Sequence, residues 1–342
     1  MPDLKSLPLH TLKETLTTSG EQAYRAKQIY EWLHQHLVES FTEMTNLPKS
    51  TRDYLSTNYT LPTFTPTNIQ ESKADGTRKY IFTLSDKNHI ESVFMKYKHG
   101  NSVCISSQVG CRMGCTFCAS AIGGLVRSLT TGEMLEQIYA ITRHTDERIS
   151  NVVVMGIGEP LDNYDELIIF IKMLSDENGL NISQRHITVS SCGLVPEIYK
   201  LAEDKLQINL ALSLHSAMDE KRTTMMPINK AYPVMDVIKA CQYYFEKTGR
   251  RLTFEYSLIN GVNDSIEDAM ALKDLIFTFK YPCHVNLIPL NPVKERDFQA
   301  SLAKKIKDFK NTLEKYQINV TIRREMGRDI EGACGQLRNM TP

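Results

Sequence analysis

An α/β fold, a partial parallel (β/α) barrel with an N-terminal helical and small β extension, is what this sequence predicts, and three observations predict it. Short β-rich runs recur from about residue 102: VCISS, NVVVMG, RHITVS, INLALS, RLTFEYSL, HVNLIPL and INVTIRR. Amphipathic stretches of helix length lie between them, among them YDELIIFIKMLSDENG, YPVMDVIKACQYYFEKTG and SIEDAMALKDLIFTFK. Repeated strand–helix alternation of this kind builds a parallel sheet that closes fully or partly into a barrel. The third observation is that Cys, Gly-Glu, Ser, His and Asn residues follow the strand-like runs, where the loops at the carboxyl ends of such a sheet carry the chemistry.

Taken in order, residues 1–58 read as an N-terminal helical accessory domain. AYRAKQIYEWLHQHL has helical apolar spacing, and a further short helix is expected after Leu47–Pro48, because proline favours a first helical turn. Residues 59–100 form a β-rich connecting segment, with TRKYIFTL and HIESVFMKY alternating around the turn-rich SDKN. Residues 101–342 are the barrel core with a C-terminal loop. Thr130 and Glu133 fit a capping box at the start of its first helix.

The 342 residues are 42% hydrophobic and 23% charged, ordinary values for a globular protein. No apolar run approaches the roughly 18 residues that span a bilayer, and MPDLKSLPLHTLKETL lacks a signal-peptide plan, so no membrane partner and a cytoplasmic location are expected. Forty basic residues balance forty acidic ones, but from Met44 to Thr130 ten Lys/Arg face five Asp/Glu. A basic stretch at Lys73, Arg78, Lys79, Lys96 and Lys98, with Tyr80 and Tyr97 interleaved, offers phosphate contacts and base stacking to a nucleic acid.

Four of the eight cysteines fall between Cys104 and Cys118. In a reducing compartment such clustering points to metal or redox chemistry rather than to a disulfide framework. Cys111, Cys115 and Cys118 are spaced C-x3-C-x2-C. A closed zinc site needs four ligands, so zinc would require a distant Cys or His. Three thiolates on one loop suit a 4Fe–4S cluster with one iron left open. Cys192, Cys241 and Cys283 read as core residues.

That spacing, with Phe117 before the last cysteine, resembles the signature of the radical S-adenosylmethionine (SAM) superfamily. The resemblance implies that the open iron chelates SAM and that cluster reduction cleaves it to a 5′-deoxyadenosyl radical. By position, Gly158, Glu159, Ser191, Ser213, Leu214, His215 and Asn291 resemble the SAM contacts of that superfamily. CISSQVGC, CTFCAS, VVMGIGEPL, ALSLHS, MPINKAYP, GVND, VNLIPLNPV and DIEGACGQL, from about Tyr24 to Leu337, further resemble the radical SAM RNA adenine methyltransferases of 23S ribosomal RNA. This likeness implies methylation of C2 of adenine-2503 in 23S rRNA, and of adenine-37 in tRNAs, with two SAM molecules per turnover and a reductant such as flavodoxin or ferredoxin. Adenine C2 lies between two ring nitrogens and is electron-poor, so a radical route is what such a reaction needs. Cys334 matches the residue that carries the methyl as S-methylcysteine. Cys104 matches the thiol that resolves the enzyme–RNA adduct through a transient disulfide with Cys334, and Glu91 matches the proton acceptor. Two alternatives are a C8-specific branch conferring antibiotic resistance and a zinc-dependent RNA-binding module without catalysis. QVGC, GEPL, CASAIGG and LIPLNPV resemble the C2 branch.

Overall fold

The structure, a computed structural model, describes residues 1–98 and 100–338; residue 99 and the last four residues of the expected core, 339–342, lie outside them. Three helices open the chain: α1 (Leu9–Thr18), α2 (Ala23–His34) and α3 (Lys49–Asn58), the last beginning directly after Pro48. Leu12 and Leu16 of α1, and Ile29, Tyr30 and Leu33 of α2, are buried. The same periodicity that makes each helix amphipathic therefore packs the group together.

Strands β1 (Pro66–Glu71), β2 (Arg78–Thr83), β3 (His89–Tyr97) and β4 (Gly100–Ile105) follow as an antiparallel run. β5 (Gln108–Gly110) and β6 (Leu125–Ser128) pair as a separate ribbon that encloses the cysteine loop. After this come α4 (Thr131–Thr145), β7 (Ile149–Val154), α5 (Tyr164–Leu174), β8 (Ile187–Ser191), α6 (Val195–Glu203) and β9 (Asn209–Ser213). The chain continues through α7 (Asp219–Met225), α8 (Val234–Thr248), β10 (Leu252–Leu258), α9 (Ile266–Phe279), β11 (Cys283–Pro289), α10 (Ala303–Lys315) and β12 (Val320–Ile322).

One ten-stranded sheet runs in the order β1-β2-β3-β4-β7-β8-β9-β10-β11-β12. From β4 onward every pairing is parallel, and the order ends at β1 and β12 without closing. This is the partial parallel arrangement that the strand–helix alternation predicts. The antiparallel strands belong to the same sheet as the parallel ones, because Cys104 of β4 pairs with Val93 on one side and Val153 on the other. Parallel strands are covered on both faces, and β10 accordingly buries every residue except Thr253, which is half-buried. The expected box at α4 is present: Glu133 N donates to Thr130 Oγ1 at 3.1 Å, and Thr130 N to a Glu133 carboxylate oxygen at 3.0 Å. No helix among the described residues is long and apolar enough to cross a membrane.

The N-terminal segment is fastened to α4 by charge. Lys5 and Glu136, both with fully buried side chains, form an ion pair at 2.5 Å, and Lys5 Nζ also donates to Pro62 O at 2.8 Å. Glu136 in turn accepts from Arg143 at 2.6 Å and from Phe64 N at 3.1 Å. Gly132 permits the close approach, since a Cβ there would stand 2.0 Å from an Asp3 carboxylate oxygen. The basic stretch beside β2 differs from its reading as a nucleic-acid face. Lys79 and Tyr80 are buried, Lys79 faces Glu91 at 3.2 Å, Arg78 pairs with Glu71 at 2.9 Å, and Lys96 pairs with Glu147. Strand alternation turns Lys79 and its neighbours toward different faces, so a basic run in sequence is not a basic surface.

Removing one partner of a buried pair leaves the other charge desolvated. Glu136→Ala is expected to lower unfolding free energy by about 3–5 kcal/mol, measured by urea denaturation. Lys5→Met, which leaves Glu136 its Arg143 partner, is expected to cost less.

Candidate active site: two cavities joined at Cys334

The carboxyl ends of the parallel strands surround a cavity of about 130 Å³. Cys111, Cys115 and Cys118 line it from the loop between β5 and β6. A second, smaller cavity of about 40 Å³ adjoins it and contains Cys104. Cys334 lines both, as do Met155, Asn291 and Arg323. Cys334 is an exposed residue by surface area while its thiol is surrounded by protein, because what it faces is the cavity space.

Local bonds explain how a residue so far along the chain arrives there. Ala119 N donates to Gly335 O at 2.8 Å, and Ser120 Oγ to Leu337 O at 2.7 Å, tying the C-terminal loop to the cysteine loop. Asn291 Nδ2 donates to Cys334 O at 3.2 Å, and Gln336 Nε2 to Pro292 O at 3.0 Å. Glu91 of β3 accepts from Arg338 N at 2.9 Å.

Three observations bear on whether this site fits a cluster and SAM. The three thiols share one cavity wall, yet among the described residues no three His, Cys, Asp or Glu side chains are gathered closely enough to hold a single ion. Three thiols on one wall are the donor set that a 4Fe–4S cluster takes. Asn291 Oδ1 is buried without a hydrogen-bond partner in the wall, which leaves an acceptor for a ligand. His215 supplies a complementary donor. Its Nδ1 accepts from Ser257 N at 3.0 Å, and burial pulls its pKa down to about 3, so the neutral ring carries its proton on Nε2. The residues present therefore fit the group.

Gly158 has φ +107°, and a Cβ there would lie 2.5 Å from Gln108 Cβ, so this position requires glycine. Glu159 follows with its carboxylate held by Leu161 N at 3.1 Å and Cys192 N at 2.8 Å, while Glu159 N donates to Gln108 Oε1 at 2.9 Å. Burial raises its pKa, and those backbone bonds act against the rise. Gly158, Glu159, Ser213, His215 and Asn291 all line the first cavity. Ser191 and Leu214 do not. Ser191 Oγ accepts from Gly193 N at 3.0 Å, and Leu214 spends its N–H on Glu255 O at 3.0 Å and its carbonyl on Arg222 Nε at 3.0 Å.

Glu91 lines neither cavity; it is buried between Lys79 and the Arg338 amide. Burial raises its carboxyl above the ordinary 4.5, and Lys79 opposes that shift. Burial also pushes the Cys104 thiol up to about 12, with the nearby Cys334 acting in the same direction and Arg323 against it. Both thiols are free. Cys192 and Cys241 are buried core residues as expected, and Cys283 is half-buried against the same core; Cys192 also lines the first cavity. Sequence reasoning misses Glu255, Ser257 and Arg323 on the wall. The signal for the first two was available as alternating polar residues in RLTFEYSL, whose apolar members fill the core.

Comparison with known proteins comes to the same region of the chain. The family model of the radical SAM superfamily matches residues 105–272, and that of the ribosomal RNA large subunit methyltransferase N-terminal domain matches residues 2–61. A probable dual-specificity RNA methyltransferase RlmN of Lachnospira eligens is 58% identical over 339 residues, 99% of this chain and 96% of its own. One of the same description from Geobacillus kaustophilus is 51% identical over 341 residues, 99% of this chain and 93% of its own. The crystal structure of a radical SAM methyltransferase from Sphaerobacter thermophilus is similar with a TM-score of 0.94 and 42% identity, covering 99% of each chain.

Gly158→Ala is expected to lower thermal stability by about 1–3 kcal/mol through strain at positive φ and to weaken SAM binding, read by calorimetry on the reconstituted protein. The folded pKa of Glu91 lies above the unfolded value, so its contribution to stability is present below pH 4.5 and is lost as pH rises through the folded pKa. Lys79→Met removes the opposing cation and should raise the Glu91 pKa further, observed by carboxyl ¹³C NMR.

Proposed function

Because the chain belongs to the RlmN family of dual-specificity radical SAM RNA methyltransferases, we propose that it methylates C2 of adenine in RNA, at adenine-2503 of 23S rRNA and adenine-37 of tRNAs. The observation that carries the reading is that Cys334 lines both cavities, with Cys111, Cys115 and Cys118 on one and Cys104 on the other. Relatives that share 50–58% identity and the one name favour this branch over the C8 branch.

Cys111, Cys115 and Cys118 would hold a 4Fe–4S cluster, which supplies the electron that splits SAM reductively. The Gly158–Glu159 turn, Ser213, the Nε2–H of His215 and the free Oδ1 of Asn291 offer the polar contacts that orient SAM beside it; Ser191 and Leu214 act by shaping that wall. Cys334 is the nucleophile that accepts a methyl from a first SAM molecule. Its thiol is raised by burial, and the Arg323 guanidinium beside it is the first group acting to lower it. A hydrogen atom of the S-methyl so formed on Cys334 passes to the 5′-deoxyadenosyl fragment of a second SAM molecule, and the methylene carbon left behind bonds to the ring carbon, which joins enzyme to RNA; as the ring hydrogen departs as a proton, one electron returns to the external one-electron carrier.

Glu91 is the acceptor of the proton displaced from that carbon; a carboxyl held above its ordinary range is a better base near neutral pH. Cys104, which lines the second cavity as Glu91 does not, is the alternative acceptor. The Cys104 thiolate then attacks the Cys334 sulfur, the bond from that sulfur to the methylene carbon breaks, that carbon takes up a proton to become the methyl group, and methyladenine leaves. The Cys104–Cys334 disulfide is returned to two thiols by an external reductant. A one-electron donor such as flavodoxin or ferredoxin completes the system, which operates in the cytoplasm.

Protein reconstituted anaerobically and incubated with protein-free 23S rRNA, SAM and a reductant is expected to yield 2-methyladenosine by mass analysis; 8-methyladenosine would transfer the chain to the other branch. Cys104→Ala should accumulate a covalent protein–RNA adduct on a denaturing gel. Cys334→Ala should give neither product nor adduct.

A further inference from the structure

Arg222 of α7 is one of the largest fully buried side chains among the described residues. Its guanidinium is well bonded but paired with no carboxylate at ion-pair distance. Nε donates to Leu214 O at 3.0 Å, Nη1 to Asn229 Oδ1 at 2.9 Å, and Nη2 to Cys192 O at 2.6 Å and Ser213 O at 3.3 Å. Each of these acceptors is neutral. Among the described residues Arg222 makes no ion pair, whereas the partly buried Arg127, Arg143 and Arg338 each face a carboxylate. Of the two acids on its own helix, Glu220 is exposed, and Asp219, whose charge favours the guanidinium from a distance, is engaged by Asn229 Nδ2 at 2.9 Å and Val234 N at 2.8 Å. A buried cation without an anion costs several kcal/mol even after relaxation, and carbonyl dipoles alone are an unusual way to meet that cost.

Its position says what the missing anion is. Two of its carbonyl acceptors belong to Cys192 and Ser213, whose residues line the first cavity. At the end of the same helix, Met225 O accepts from Thr116 N at 2.9 Å and Thr116 Oγ1 at 3.3 Å, so α7 buttresses the loop that bears Cys115 and Cys118. A cluster held by three thiolates is a net anion, and reduction by one electron adds to its charge.

We propose that Arg222 is the counter-charge of this cluster, a positioning residue whose buried guanidinium favours the reduced state through the cavity wall while its fork sets the β8 and β9 loop ends. The inference rests on the reading of Cys111, Cys115 and Cys118 as cluster ligands. A fixed positive charge makes one-electron reduction easier, so the midpoint potential should fall when the charge is removed.

The test is a redox titration of the anaerobically reconstituted full chain with dithionite and low-potential dyes, following the electron paramagnetic resonance of the reduced cluster. Arg222→Gln is expected to weaken reduction about tenfold, a downward shift of about 59 mV for a one-electron couple. Arg222→Lys, which keeps the charge and loses the fork, should stay near the wild-type potential. The paired substitution Asp219→Asn with Asn229→Asp keeps size and total charge but moves a carboxylate onto Nη1; it should shift the potential downward with the guanidinium still in place. A purely structural clamp would destabilise both Arg222 variants and leave every potential at the wild-type value, which overturns the proposal. If Arg222→Gln does not fold, an unshifted paired variant overturns it equally. Wild-type protein that takes up no iron and sulfide overturns the ligand assignment itself; a loaded wild type with unshifted variants overturns only the role of Arg222.

Discussion

The hydrogen bond from Ala119 N to Gly335 O, with its neighbour from Ser120 Oγ to Leu337 O, is the constraint on which the candidate site depends. It holds the residue following Cys118 against the residue following Cys334 across more than two hundred positions of chain. The parallel part of the ten-stranded sheet supplies the frame, because its strands β4, β7, β8, β9, β10, β11 and β12 all end on the same side. The C-terminal loop then crosses that open end and is fixed at Asn291, Pro292 and Glu91. Cys334 thereby becomes the partition between two cavities. Such short, oriented contacts suit chemistry that must bring one sulfur before two different reactants.

The polar groups of the walls are mostly spent on one another. Glu159 is tied by backbone amides, His215 is kept neutral by an amide on Nδ1, and Arg222 reaches only carbonyl oxygens. What remains for a ligand includes an amide oxygen on Asn291, an imidazole N–H on His215, and the thiols. In a low-dielectric cavity each such group counts for more than it would in water. Charges fixed behind the wall are felt inside it for the same reason.

Much of this was legible in the sequence. All seven β-rich runs of the parallel core became strands, because continuous apolar β-branched runs fit only a sheet covered on both faces. The α4 capping box was readable from Thr130 and Glu133 alone, since its bonds span three residues. The cysteine trio was readable because its spacing is local. Lys79 and Tyr80 were not: their place on a surface or in the interior depends on which face of β2 meets α4, and that is a tertiary matter. Glu255 and Arg323 escaped because each carries its meaning only through neighbours from other strands.

The sequence by itself determined the alternation of strands and helices, the loop that gathers three thiols, and the presence of Cys104 and Cys334 near opposite ends of the core. Each of these follows from side-chain periodicity or from short-range spacing. Only the tertiary structure decided that Cys334 stands between two cavities, that Glu91 lies behind their wall beside Lys79, and that Arg222 is buried with no carboxylate to answer it. Those outcomes depend on burial and on bonds between distant segments, and both come into being only when the sheet twists, the helices cover it and the last loop closes over its end.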